Sequence, residues 1–301
     1  MTQTVQLIGS ILLSLIPVCI WGYIYYKKNP ESRHLVALTF IAGALAVFPI
    51  LIYKYLWTFF PWINAFTFAD KYKDHVFAIT ELISLPLSVI LTFMIVGIIE
   101  ETMKMFSVKI VDDDEFKHID DAIEFFILAA LGFSFTENIL YFYNIWNSNG
   151  ADNLLLPFIF RSTFSTFAHI MFSGIFGYFY GVAHFAKPIL QEEIRAKRHL
   201  WTIWLHKLFG LRKYKMFHEE KILEGLIVAI GLHAVFNIFL ELDMIIMVAP
   251  FLIAGYITLN HLFVMKETHK NYGKLLVGVR NHPHPKSGVY FVHKGINEKT
   301  A

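Results

Sequence analysis

The chain contains seven stretches of about 20 or more predominantly apolar residues, and this pattern limits the fold more than any other feature. An α-helix needs about 20 such residues to cross the hydrocarbon core of a bilayer. Of the 301 residues, 56% are hydrophobic and 17% are charged, which is unlike an ordinary soluble domain. The apolar stretches lie at about 5–26, 35–56, 78–108, 122–145, 157–185, 222–241 and 244–265. We therefore predict an all-α fold, a polytopic membrane helix bundle of about seven transmembrane helices.

Lys and Arg residues are concentrated in alternate connecting segments. Of the 26 in the chain, 3, 3, 9 and 7 lie in segments 27–34, 104–121, 187–221 and 266–301, respectively. Loops rich in Lys and Arg remain on the cytoplasmic side of a membrane. The distribution therefore predicts that the N-terminus lies outside and the C-terminus lies in the cytoplasm.

The distribution of polar residues also predicts how the chain is divided. Residues 1–265 are expected to form one transmembrane domain, and residues 266–301 a cytosolic C-terminal tail. The basic segment 187–221 is interleaved with Trp, Leu and Phe, which favours an amphipathic cytosolic helix at the lipid interface over a nucleic-acid patch. We expect the lipid bilayer as a partner and no nucleic acid. The single cysteine, Cys19, excludes an internal disulfide.

The third apolar stretch carries ionisable residues in the sequence GIIEETMKMF, which are Glu100, Glu101 and Lys104. A charged side chain at the centre of a membrane helix costs about 2.5–3.5 kcal/mol and usually marks a functional site. Lys104 lies three or four residues after the glutamates, so its side chain can reach either carboxylate. The simpler alternative is that the helix leaves the bilayer at this point.

Two further apolar stretches carry polar pairs. Glu137 and Asn138 interrupt the fourth stretch within GFSFTENILYFYN, and His233 and Asn237 lie one helical turn apart in the sixth. A single intramembrane histidine is usually a packing residue that forms a hydrogen bond. The combination of an imidazole, an amide and an acid on neighbouring spans instead predicts a polar cavity.

The fifth stretch carries polar residues at four-residue intervals, Arg161, Ser165, His169 and Ser173. This interval keeps them on one face of an α-helix. At 1.5 Å per residue, His169 and His233 both lie near the middle of a bilayer. The spacing therefore predicts that the polar residues of four spans meet at a similar depth.

This set of groups is compatible with several kinds of chemistry. A glutamate and a histidine can activate water for attack on an amide carbonyl, and a second histidine with an asparagine can stabilise the oxyanion. The same acids and imidazoles can bind a divalent cation such as zinc. Acids and histidines along a path also form a proton-coupled transporter or channel, and a scaffold without catalytic activity is a third possibility.

The ordered motifs Glu100-Glu101-x-x-Lys104, Phe133-x-x-x-Glu137-Asn138, Arg161…His169-x-x-x-Ser173 and His233-x-x-x-Asn237 resemble the PrsW family of bacterial intramembrane proteases. All of the motifs lie within residues 97–240. This family falls within the wider superfamily of CAAX proteases and bacteriocin-processing (Abi) proteins. The resemblance implies an intramembrane endopeptidase of the bacterial plasma membrane that performs site-1-type cleavage in a stress response. The implied partner is a single-span, membrane-anchored substrate such as an anti-sigma factor.

The resemblance also implies roles for individual residues. Glu100 would be the base that activates water, and Glu101 would support it. Glu137 and His169 would position that water or a metal.

His233 with Asn237 would stabilise the oxyanion. The remaining polar residues are assigned supporting roles; these are Lys104, Asn138, Arg161 and Ser173. We favour a glutamic-type mechanism that requires no cofactor. If zinc or another divalent metal takes part, its expected ligands are Glu100, Glu137, His169 and His233.

Overall fold

A computed structural model describes residues 3–26, 33–78, 84–112, 116–195 and 212–280. Helices account for most of these ranges. They are α1 (Gln3–Tyr26), α2 (Arg33–Leu45), α3 (Phe48–Leu56), α4 (Phe66–Asp70), α5 (Leu87–Asp112), α6 (Ile119–Asn149), α7 (Leu155–Phe160), α8 (Thr166–His184), α9 (Ala186–Arg195), α10 (Lys213–Glu241) and α11 (Ile245–Arg280). Short 3₁₀ turns occur at Pro61–Ile63 and Ala151–Asn153, and a π-helical turn at Arg161–Ser165 joins α7 to α8.

The prediction of a polytopic helical bundle is confirmed. Six segments are long and apolar enough to cross a membrane within the described ranges. They are Gln3–Ile24, His34–Leu56, Ile119–Asn149, Ala151–His184, Lys213–Glu241 and Ile245–Leu262. Helix α5 has 26 residues, which span about 39 Å at 1.5 Å per residue. This length exceeds the hydrocarbon thickness of about 30 Å, so α5 is long enough to be the seventh span.

Helix α6 lies at the centre of the bundle. It packs against α1, α2 and α8, while α10 packs against both α8 and α5. The first half of α6 is almost wholly buried; for example, Ala122, Ile123 and Phe126 have no exposed surface. A helix that is apolar on all sides is stable only in such a buried position or against lipid. The arrangement leaves α5, α6, α8 and α10 around a common interior.

Two glycines allow α2 and α6 to approach closely. A Cβ atom on Gly132 of α6 would lie 2.0 Å from the backbone oxygen of Phe40, and one on Gly43 of α2 would lie 2.1 Å from the backbone oxygen of Ala129. Neither distance is sterically possible, so both positions require glycine. Small residues at such crossings are typical of membrane helices, whose association depends on close packing.

The third span begins later than the sequence predicts. Instead of a helix from residue 78, Val76–Ala78 and Ser84–Pro86 form a two-stranded antiparallel sheet, and α5 starts at Leu87. Pro86 was expected within the span but ends the second strand. Proline lacks the amide hydrogen that a helix interior requires, and it is tolerated at a helix start.

The segments that the sequence predicts to be cytosolic differ in extent from the predictions. Helix α10 starts at Lys213 rather than at residue 222, and α11 continues to Arg280, so the first part of the expected tail is helical. Helix α9 covers the beginning of the predicted interfacial segment 187–221, and its short sequence is amphipathic. The rest of that segment, 196–211, and the tail beyond residue 280 lie outside the described residues.

Candidate active site

With the exception of Asn237, the polar residues predicted for the site meet in one cluster between α5, α6, α8 and α10. Glu101 occupies its centre and is fully buried. Its Oε1 accepts a hydrogen bond from Lys104 Nζ at 2.7 Å and lies 2.9 Å from His233 Nδ1, and its Oε2 accepts a hydrogen bond from Ser173 Oγ at 3.4 Å. Both carboxylate oxygens of Glu101 are therefore already engaged by neighbouring side chains.

Lys104 links the glutamate pair to α8. The prediction that it reaches back to one of the two carboxylates is confirmed, and the partner is Glu101. Lys104 Nζ also lies 3.0 Å from His169 Nδ1 and 4.6 Å from the centre of the Phe133 ring. Burial of an ammonium group without a partner would be costly, and these contacts compensate for that cost.

The hydrogen-bond network assigns a different tautomer to each histidine. An ammonium group only donates hydrogen bonds, so His169 Nδ1 accepts from Lys104. His169 Nε2 then carries the hydrogen and donates to Glu137 Oε2 at 2.9 Å. In contrast, His233 Nδ1 faces a carboxylate oxygen of Glu101 and carries its hydrogen there. Both ring nitrogens of His169 are engaged, whereas His233 Nε2 retains an open lone pair.

That lone pair faces Glu100. His233 Nε2 lies 3.6 Å from Glu100 Oε2, which is too long for a hydrogen bond. Glu100 Oε2 is buried and has no hydrogen-bond partner among the described residues. A buried polar atom without a partner costs about 1–3 kcal/mol, so such an atom calls for an explanation. Glu100 Oε2 and His233 Nε2 therefore retain unused hydrogen-bonding capacity within the cluster.

Aromatic rings enclose the two histidines. The His169 and His233 rings lie 5.3 Å apart at 86°, Phe133 packs 5.8 Å from His169, and Phe172 packs 5.5 Å from His233. Both histidines are buried. Apolar surroundings strengthen the electrostatic interactions among the charged groups and fix the orientations of the rings.

A second polar network extends from Glu137. Arg161 Nη2 lies 2.9 Å from Glu137 Oε2, and Arg161 Nε donates to Asn138 Oδ1 at 2.6 Å. Asn138 Nδ2 donates to Thr166 Oγ1 at 3.3 Å, and Ser134 Oγ donates to the same atom at 3.0 Å. The network fixes Glu137 against His169 and ties α6 to the start of α8.

The sequence analysis did not identify Ser134 or Thr166 as members of this network. Ser134 lies one turn before Asn138 on α6, so the four-residue spacing could have suggested it. The position of Thr166 depends on the π-helical turn at Arg161–Ser165. A π turn adds a residue to the helix and rotates all later side chains about its axis. The four-residue spacing from Arg161 to His169 therefore does not describe one continuous face.

Asn237 lies apart from these contacts. It is half-buried on α10, one turn after His233, and its side chain forms no hydrogen bond with any other described residue. Its amide group is therefore available on the helix that presents His233.

Three residues of the cluster could hold a metal ion. Glu100, His169 and His233 each offer one ligand atom, and these atoms lie within 4.8 Å of one another. Two imidazoles and a carboxylate are a typical ligand set for catalytic zinc. Glu137, the fourth expected ligand, is not part of this group, because its carboxylate lies between His169 and Arg161. The donor set fits a divalent cation in kind, although His169 would have to release one of its present partners.

Comparisons with known proteins find the same family that the ordered motifs resemble. Residues 31–264 match the family described as "PrsW family intramembrane metalloprotease". The chain is 28% identical over 210 residues to "Protease PrsW" of Geobacillus kaustophilus, covering 68% of this chain and 77% of that protein. It is 31% identical over 165 residues to "Protease PrsW" of Oceanobacillus iheyensis, covering 54% of this chain and 63% of that protein. No solved structure matches the chain.

Proposed function

This chain belongs to the PrsW family of intramembrane proteases, and we propose that Glu100 activates the water that hydrolyses the peptide bond. The family assignment makes the chain a multi-pass membrane protease, which replaces the alternatives of a transporter or a scaffold. The observation that carries the proposal is the contrast between the two neighbouring glutamates. Glu100 Oε2 is buried without a hydrogen-bond partner among the described residues, whereas both oxygens of Glu101 are engaged.

The contrast supports different roles for the two glutamates. A general base must have an oxygen that can accept the proton it removes. Glu101 would have to release Lys104, His233 or Ser173 to do so. Glu100 needs no such exchange, and its Oε2 and His233 Nε2 are close enough for one water molecule to contact both. We therefore assign Glu100 as the base and Glu101 as the residue that orients His233.

These roles define the course of the reaction. The Glu100 carboxylate removes one proton from the water, and the water oxygen forms a bond to the carbonyl carbon of the substrate. The carbonyl oxygen becomes an oxyanion. When the C–N bond breaks, Glu100 returns the proton to the leaving amine. The products are a carboxylic acid and an amine, so the proton balance is complete.

We propose His233 and Asn237 as the hydrogen-bond donors to the oxyanion, and for His233 this role requires a change of protonation. In its present tautomer His233 Nε2 accepts hydrogen bonds, so it can donate to an oxyanion only when both ring nitrogens are protonated. The Glu101 carboxylate 2.9 Å from Nδ1 stabilises that doubly protonated ring. Asn237 can donate from its amide without any change of protonation.

Glu137 and His169 are proposed as positioning residues. Arg161 holds the Glu137 carboxylate, which in turn accepts the His169 Nε2 hydrogen. The side chain of Glu137 is 32% exposed, compared with 15% for Glu100. Glu137 therefore lies at the more open side of the cluster, where it can orient an incoming substrate or water.

The metal-dependent alternative has its own support in the Glu100, His169 and His233 donor set. A bound zinc ion would act as a Lewis acid and lower the pKa of its water. We favour the glutamic-type mechanism because it does not require His169 to exchange a hydrogen-bond partner for a metal ion. Elemental analysis of active protein, combined with chelator treatment, distinguishes the two. We expect activity to persist after treatment, whereas a loss restored by zinc would establish the metal mechanism.

The proposed substrate is a single-span, membrane-anchored protein, such as an anti-sigma factor that is cleaved in a stress response. The buried position of the site among membrane-spanning helices supports a substrate that reaches it through the bilayer. The test is a comparison of membrane proteomes of cells with and without this protein. A small single-span protein that is shortened only when the protease is present would identify the substrate.

The assignment of the base is tested by Glu100→Gln, which keeps the shape of the side chain and removes the proton acceptor. We expect cleavage of a single-span reporter to fall by about 100- to 10,000-fold, the usual contribution of general acid–base catalysis. Glu224→Gln is the matched control, because Glu224 is 44% exposed on α10. Cleavage by Glu100→Gln at the control rate would contradict the proposal.

A further inference from the structure

An apolar groove lies between α1, the π-helical turn, α8 and α11. Phe167 lines it and lies two residues before His169, so the two side chains leave α8 about 200° apart. The walls of the groove come from three membrane-spanning segments and enclose a volume of about 360 Å³. They include Trp21 of α1, Thr163 and Phe164 of the π-helical turn, Phe167 of α8, and Leu252 and Tyr256 of α11. None of the described lining residues carries a charge, so a charged or strongly polar ligand would find no partner there.

The walls of the groove are fixed by aromatic contacts. The Trp21 ring stacks on Phe167 with centroids 5.1 Å apart, and its Nε1 donates to the backbone oxygen of Ser162 at 3.0 Å. Phe167 also packs 6.3 Å from Tyr256. Leu252 is 4% exposed and forms part of the floor. These contacts hold α1, the π-helical turn and α11 at a distance that leaves the groove between them.

The groove is continuous with the lipid-facing surface of the bundle. Ile20 on α1 and Ile253 and Ile257 on α11 are 52%, 61% and 61% exposed, respectively. Such large apolar side chains on membrane-spanning helices face the hydrocarbon chains of the bilayer. The occupant of the groove is therefore drawn from the bilayer.

A bilayer offers two apolar occupants, an acyl chain and a transmembrane helix, and the volume of the groove fits the first of them. A transmembrane helix is about 10–12 Å across and rises 5.4 Å per turn, so one turn takes roughly 400–600 Å³. The groove therefore cannot enclose one turn, and a helix lying against its open side could insert only side chains. A methylene group is close in size to a water molecule, whose share of liquid volume is about 30 Å³, so the groove holds about a dozen methylenes.

We propose that this groove binds one acyl chain of a membrane phospholipid. The chain packs between Trp21, Phe167 and Tyr256, while its headgroup lies beyond the groove at the membrane surface. The occupant contacts the side of α8 and of the π-helical turn that faces away from the catalytic cluster. This site is separate from the peptide-bond chemistry and does not depend on the proposed role of Glu100.

The probe is a phosphatidylcholine with a photoreactive diazirine in the middle of one acyl chain, incorporated into phosphatidylcholine vesicles that contain the full-length protein. After irradiation, mass spectrometry locates the attached lipid. We expect labelling of Phe167 and Tyr256 several-fold above that of Ile257, which is lipid-facing but outside the groove. Labelling at equal density on the groove and on Ile257 would overturn the proposal.

Two variants on α11 sharpen the test. Ala249 lines the groove, so Ala249→Trp should fill it and reduce the labelling of Phe167 several-fold. Ile257→Trp adds the same bulk outside the groove and should leave the labelling unchanged. Undiminished labelling in folded Ala249→Trp protein would overturn the proposal, as would displacement of the lipid by a single-span substrate peptide. If Ala249→Trp does not fold, the proposal is judged from the labelling of Phe167 and Tyr256 relative to Ile257 in the unmodified protein.

Discussion

Two adjacent glutamates in α5 have different surroundings. We therefore expect one of them to contribute mainly to stability and the other mainly to catalysis. Glu101 neutralises the fully buried Lys104, whereas Glu100 Oε2 has no hydrogen-bond partner among the described residues. Removal of one partner from a buried ion pair leaves an uncompensated charge and typically costs about 3–5 kcal/mol. Glu101→Gln should therefore lower thermal stability strongly, whereas Glu100→Gln should inactivate the enzyme with little effect on stability.

Thermal unfolding in detergent, measured beside reporter cleavage, tests this division. Equal destabilisation by both variants would show that the glutamates are interchangeable parts of one ion cluster. Lys104→Met combined with Glu101→Gln provides a further control, because it removes both charges of the pair. We expect the double variant to regain much of the stability lost in Glu101→Gln but none of the activity, since His233 remains without its carboxylate partner.

The sequence was sufficient to identify most members of the site. Charged residues within apolar stretches are costly, so their positions alone predicted that Glu101, Lys104, His169 and His233 would meet. The sequence could not assign the partner of each atom, because Lys104 can reach either glutamate by spacing. Only the contacts across α5, α8 and α10 show that Glu101 is engaged and Glu100 is open.

At the level of helices, the sequence predicted the spans better than their interruptions. The bounds of the apolar stretches agree with those of the helices to within a few residues at most ends, but the starts of α5 and α10 and the end of α11 differ by more. The π-helical turn at Arg161–Ser165 and the small sheet before α5 were missed. Neither feature has a distinctive pattern in the local sequence. At the π-helical turn, Arg161 contacts Glu137 and Asn138 on another helix, and such contacts between helices are not visible in the local sequence.

The crossing of α2 and α6 gives a prediction at this level. Gly132→Ala would place a Cβ atom 2.0 Å from the backbone oxygen of Phe40, and overpacking of this kind usually costs about 1–3 kcal/mol. Gly231→Ala in α10 is the matched control, because nothing lies within 4 Å of its added Cβ. Alanine favours a helix over glycine by up to about 1 kcal/mol.

The two substitutions are therefore expected to act in opposite directions. Gly132→Ala should lower the unfolding temperature, and Gly231→Ala should leave it unchanged or raise it slightly. Unfolding measurements in the same detergent compare them directly. A Gly132→Ala protein as stable as the Gly231→Ala protein would show that α2 and α6 do not cross as closely as the structure indicates.

For the whole molecule, the number of membrane crossings depends on α5. Among the residues that the structure describes, six segments are long and apolar enough to cross a membrane, and α5 carries Glu100, Glu101 and Lys104 near its middle. These charges lower its apolar character, but Glu101 and Lys104 are fully buried and do not face lipid. If α5 crosses, the molecule has seven spans and its two ends lie on opposite sides of the membrane.

The distribution of Lys and Arg predicts which side each end occupies, with the N-terminus outside. The chain has one cysteine, Cys19, so Cys19→Ser gives a background for labelling at chosen positions. Lys71 precedes α5, Lys117 lies between α5 and α6, and Asp152 follows α6; all three are exposed. Each is replaced by cysteine and treated in intact cells with a maleimide that does not cross membranes.

Lys71→Cys and Asp152→Cys should be labelled in intact cells, and Lys117→Cys only after the membrane is permeabilised. The pair that flanks α6 tests the orientation, because α6 is apolar enough to cross on composition alone. The pair that flanks α5 tests the predicted third crossing, whose helix carries charged residues near its middle. Labelling of Lys71→Cys and Lys117→Cys on the same side would mean that α5 enters and leaves on one face, and the buried ion cluster would then lie in a re-entrant helix rather than in a span.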